Sequence, residues 1–86
     1  MNKVIEDFNN MRTNVVAVYD GDGNERLFHL GVDEEKNTIY MGGATNSGII
    51  REYEVEIDEE WPLDSHIDEL YEMAVCDIIK EQSERA

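Results

Sequence analysis

Residues 14 to 32 constrain the fold of this chain more than any other stretch. "NVVAVY" (14 to 19) is apolar and β-branched, a composition that packs well on a pleated surface. "DGDGN" (20 to 24) is a run of turn formers. "ERLFHLGV" (25 to 32) then alternates Leu27, His29 and Gly31 against Phe28, Leu30 and Val32. Strand, glycine-rich turn and strand make a β-hairpin.

The rest of the chain extends that hairpin. "DEEKN" (33 to 37) reads as a turn, "TIYM" (38 to 41) as a third strand, and "GGATNSG" (42 to 48) as a flexible connection. "IIREYEVEI" (49 to 57) reads as a fourth strand. Short loops between successive strands predict an antiparallel meander. Before it, Val4, Ile5, Phe8 and Met11 recur at helical spacing over residues 2 to 11. After Pro62, Ser65 and Asp68 have the spacing of a capping box. Ile67, Leu70, Tyr71, Ala74, Val75 and Ile78 mark one face of a helix running to about residue 82. The expected fold is a single α+β domain over residues 1 to 86: an N-terminal helix, a four-stranded antiparallel meander, and a C-terminal helix packed on the sheet.

Charge is the second constraint. The chain has 86 residues with 21 Asp and Glu against 7 Lys and Arg, for a net charge of −14. Residues 1 to 51 hold 8 acids and 5 bases (−3), and residues 52 to 86 hold 13 acids and 2 bases (−11). Such a charge repels nucleic acid and anionic membrane and attracts basic surfaces. One cysteine, Cys76, excludes an internal disulfide and fits a reducing compartment. No apolar run is long enough to cross a membrane, and the amphipathic start is not a signal peptide. The chain reads as a soluble intracellular, cytoplasmic protein.

Familiar site motifs are incomplete. Asp20, Asp22 and Asn24 occupy the first three ligand positions of a calcium loop. Glu25 then stands where glycine is needed, and Gly31 where the bidentate Glu belongs. Gly43 and Gly48 have the spacing of a phosphate-binding loop, but Ile49 and Ile50 replace the Lys and Ser or Thr. His29 and His66 have no partner at metal-ligand spacing, and Cys76 has no evident His partner. A non-enzyme is expected, with no catalytic residue, metal or cofactor.

The acidic strand is the feature left over. Glu52, Glu54, Glu56 and Asp58 share one face, opposite Tyr53, Val55 and Ile57. Like charges along one edge repel, so the row needs a reason. Alternate strand residues repeat at ~6.7 Å. Successive phosphates of a DNA strand are ~3.4 Å apart along the axis and roughly 7 Å apart through space. A carboxylate row on a strand therefore approaches a phosphate row. Glu59, Glu60 and Asp64 carry the charge round the corner, and Asp68, Glu69 and Glu72 extend it along the last helix. The competing reading is a solvated face whose charges discourage edge pairing.

With this size, acidity and order of elements, the chain resembles the small DNA-mimic inhibitors that phages make against host defence. It is most similar to the Arn-type anti-restriction proteins of T-even phages, which inhibit the modified-cytosine-specific endonuclease McrBC. Acidic anti-CRISPR proteins are near neighbours. The resemblance spans the whole chain and carries no diagnostic motif. It implies a non-enzymatic inhibitor that binds a basic DNA-binding protein, such as a restriction endonuclease subunit or another defence nuclease, and not nucleic acid or membrane. It also implies a homodimer. An adaptor or antitoxin capping a basic partner is the alternative. A compact domain of this size presents a surface ~25 to 30 Å across, less than one duplex turn of ~34 Å. A dimer through the first half, at Phe28, Tyr40, Met41 or an edge formed by the third strand, would lengthen the track.

Overall fold

The structure, a computed structural model, describes residues 2–44 and 50–85. It follows the expected order: helix α1 (Lys3–Asn9), strands β1 (Val15–Tyr19), β2 (Glu25–Asp33), β3 (Thr38–Ala44) and β4 (Ile50–Glu56), and helix α2 (Leu63–Arg85). The strands form one antiparallel sheet in the order β1-β2-β3-β4. Both helices contribute to a single core on one face of the sheet.

Alternation decides which residues enter that core. Val18, Phe28, Leu30, Ile39, Met41 and Val55 point to the helical side and are buried. From α2, Leu63, Leu70, Ala74 and Ile78 meet them at helical spacing, and Val4 of α1 closes one end. Ile67 and Val75 are half-buried, and Tyr71 lies at the margin of the stripe with 37% of its surface exposed. Burying apolar side chains of this kind stabilises by about 1.5–3 kcal/mol each before conformational entropy is counted.

Local chemistry fixes the ends of the elements. The Asn2 side chain caps α1 by accepting from the backbone N–H groups of Val4 and Ile5, and the helix stops at Asn9, short of Met11. Asp20 organises the β1–β2 turn: its carboxylate accepts from the N–H groups of Asp22 and Asn24 and lies 4.0 Å from Arg26. Asn37 ends the β2–β3 turn with a φ of +54°, a conformation that asparagine tolerates. Its side chain accepts from Asn2 and donates to the Ile57 carbonyl, joining α1, the turn and the end of β4.

Two expectations are corrected. Residues 42–44 belong to β3, not to a flexible connection: they pair with Glu52, Arg51 and Ile50 of β4, and Gly43 leaves room for the Phe28 ring, which a Cβ there would meet at 2.6 Å. The remainder of that expected connection, and Ile49, lie outside the described residues. Helix α2 begins at Leu63, so Ser65 sits inside its first turn and not at a cap. The Ser65 N–H donates to the Pro62 carbonyl.

Candidate functional site

Among the described residues, no helix lies on the outer face of the sheet. Glu52, Glu54 and Glu56 of β4 project from it and are exposed. They follow the expected alternation, with Val55 buried and Tyr53 half-buried on the opposite side. Strand pairing stops at Glu56, so Asp58 belongs to the loop that leads into α2 and does not continue the row.

His66 shapes that loop. Its ring is buried, and Nε2 accepts from the Asp58 N–H at 3.0 Å. Nδ1 lies 2.9 Å from the Pro62 carbonyl and donates to it, which fixes the tautomer. Both ends of the segment 58–62 are thereby pinned to the first turns of α2. Within it the Asp58 carboxylate accepts from the Glu60 N–H, and the Trp61 N–H donates to the Asp58 carbonyl.

The folded loop encloses an open cleft of about 910 Å³. Glu56, Asp58, Glu59, Glu60 and Glu69 line it together with Trp61, which is 60% exposed. Among the described residues no Lys or Arg lines it. Glu69 also borders a shallower hollow with Glu72, Tyr53 and Cys76. The structure thus gathers Glu56, Asp58, Glu59, Glu60, Glu69 and Glu72 around the β4 edge, with Glu52 and Glu54 continuing along the outer face. Asp64 and Asp68 are exposed on α2 but line neither hollow. The acids form a band that wraps the sheet edge, since α2 covers one face of the sheet and the β4 row projects from the other. Among the described residues none of these carboxylates lies within 4.0 Å of a Lys or Arg nitrogen. Their field is therefore open to a partner's cations.

Trp61 is the residue that sequence reasoning passed over. Its signal was present: a lone tryptophan ending an acidic run, directly before proline. An exposed indole beside carboxylates offers a cation both a π-face and charge.

The other candidates resolve in structural terms. The Asp20 carboxylate is occupied by backbone groups of its own turn, so "DGDGN" serves the hairpin. His29 is exposed on the outer face of the sheet. Among the described residues no group of three or more His, Cys, Asp or Glu could hold a metal ion. Gly43 lies within β3, and Gly48 is outside the described residues. Cys76 is exposed on α2. No helix among the described residues is long and apolar enough to cross a membrane.

The proposed dimer contacts require correction. Phe28 and Met41 are fully buried, and β3 is an interior strand paired on both sides. Of the residues named, Tyr40 alone reaches the surface, with its ring lying over Gly31. The molecule is also longer than its residue count suggests, at 47 × 22 × 19 Å, so one copy exceeds a duplex turn of ~34 Å along its long axis.

No family model, curated protein or solved structure matches this chain.

Proposed function

We propose that this protein is a non-enzymatic inhibitor whose acidic band occupies the DNA-binding site of a basic host-defence nuclease of the McrBC type. The observation that carries this reading is the convergence of five carboxylates on one cleft, with no Lys or Arg among the described residues of its lining. Folding to this arrangement works against electrostatic repulsion, and a cationic partner relieves it. An Arg or Lys entering the cleft would meet carboxylates on several sides and the Trp61 indole on another.

The carboxylates would take the place of phosphates. Glu52, Glu54 and Glu56 keep an alternate-residue rise of ~6.7 Å, near the phosphate repeat. A specific observation favours a second reading, in which the protein caps a basic surface without imitating a duplex: the band turns a corner at Asp58 and does not run straight. Competition separates the two. A mimic is displaced from its target by duplex DNA, whereas a cap placed elsewhere on the target remains bound. Affinity capture from a bacterial lysate at low and high salt identifies the target, and the duplex chase is then run on that complex.

A further inference from the structure

The outer face of the sheet has two chemically distinct parts. Ala17 pairs with Leu27 and Ala44 with Ile50, and one step beyond the Phe28–Gly43 pair the antiparallel register brings Leu27 level with Ala44, so the four form an apolar row across the sheet. Leu27 is 53% exposed and Ile50 80% exposed. The neighbouring strand positions on the same face carry Glu52, Glu54 and Glu56. With Glu25 and Asp33 this face holds five carboxylates, and alternation places no Lys or Arg on it among the described residues.

We propose that this face docks an amphipathic helix of a basic partner protein. Ala17, Leu27 and Ile50 take the apolar stripe of the helix, while Glu52 and Glu54 pair with Lys or Arg along its flank. Charge complementarity selects the occupant. A second copy of this chain would bring the same five carboxylates and no cation to the face. A basic helix supplies both missing components. Size agrees as well: the apolar row crosses three inter-strand steps of ~4.8 Å, or ~14 Å. A helix of about 10 residues has that length. The inference rests on the inhibitor reading for the basic character of the partner, and adds that apolar burial beside the acidic band anchors it.

The test uses a synthetic Leu/Lys amphipathic peptide of about 14 residues, ~21 Å as a helix. A control peptide of equal charge has Ala in place of each Leu. Binding is measured by calorimetry at about 0.15 M salt, and the site is mapped by amide chemical shifts. The expected result is tighter binding of the Leu/Lys peptide, with shifts at Leu27, His29 and Ile50. Leu27→Thr with Ile50→Thr replaces exposed side chains by β-compatible ones, and should weaken that binding about tenfold, to the level of the control peptide. Equal binding of both peptides, or shifts confined to the Trp61 cleft, overturns the proposal. So does a wild-type dimer in sedimentation that the double variant converts to monomer, because the face would then belong to a second copy. The inhibitor reading is tested separately by duplex competition: a protein that binds the peptide on this face but never displaces DNA retains the docking surface and loses that reading.

Discussion

The Tyr53 hydroxyl donates to Asp77 Oδ2 at 2.7 Å, a bond between β4 and α2. It joins the two elements that carry the acidic band. Burial pushes the phenol pKa well above its ordinary value of 10.0, and the bond and the charge of Asp77 push it further.

That relationship fixes a pH dependence. Below pH 10.0 both the folded and the unfolded chain keep the Tyr53 proton, and its contribution to stability is complete. Above that pH the unfolded chain releases the proton first, so stability falls as pH rises toward the higher folded value. Tyr53→Phe should cost about 1–2 kcal/mol near neutral pH through loss of the hydrogen bond. It should also flatten the alkaline decline. Urea unfolding at pH 8 and above pH 10 reads both effects, and an unchanged alkaline slope would count against this assignment.

His66→Ala should release the 58–62 segment, because both of its ring contacts to that segment are lost. The expected cost is about 2 kcal/mol, from a buried side chain and an orphaned Asp58 N–H. Trp61 is the one tryptophan, so its emission reports on the loop directly. A red shift in the folded variant is expected; an unchanged spectrum would mean that the loop holds its shape without the imidazole.

Asn37 separates backbone from side-chain effects. Asn37→Gly accepts the φ of +54° but loses the bonds to Asn2 and Ile57. Asn37→Ala loses the bonds and adds strain. Both should destabilise, alanine by about 1 kcal/mol more than glycine. Equal thermal midpoints for the two would remove the backbone from the explanation.

The layout of this fold was legible because its signals are local. Period-two alternation in Leu27–Val32 and in Glu52–Ile57, turn formers at residues 20–24 and 33–37, and the stripe of Leu70, Ala74 and Ile78 each act over a few residues. The misreadings concern long-range packing. The pair Gly42–Gly43 resembles a loop until β2 and β4 flank it and Phe28 lies across Gly43. Phe28 and Met41 could be taken for surface residues only while the inner face of the sheet was unknown. The acids of the candidate site were legible one by one, but their gathering around a cleft was not. It depends on His66, a buried ring holding a loop whose end is eight residues away.

Charge reversal in the band should act through position and not through total charge. Glu54→Lys with Glu56→Lys is expected to weaken target binding at least about tenfold while the fold persists, since both side chains are exposed. Asp33 makes a poor control because it shares a cross-strand row with Thr38 and Glu56. Glu6→Lys with Asp22→Lys changes net charge equally and lines neither acidic hollow. Matching losses from the two pairs would show that bulk charge governs binding.

The most direct measurement is displacement of a labelled modified-cytosine duplex from an McrBC-type endonuclease by this protein at about 0.15 M salt. The protein should release the duplex in a dose-dependent way and should not retard DNA when added alone, because its charge of −14 offers the phosphates no counterpart. Glu54→Lys with Glu56→Lys should release much less. A duplex that stays bound at saturating protein, or one that the protein itself retards, contradicts the inhibitor account.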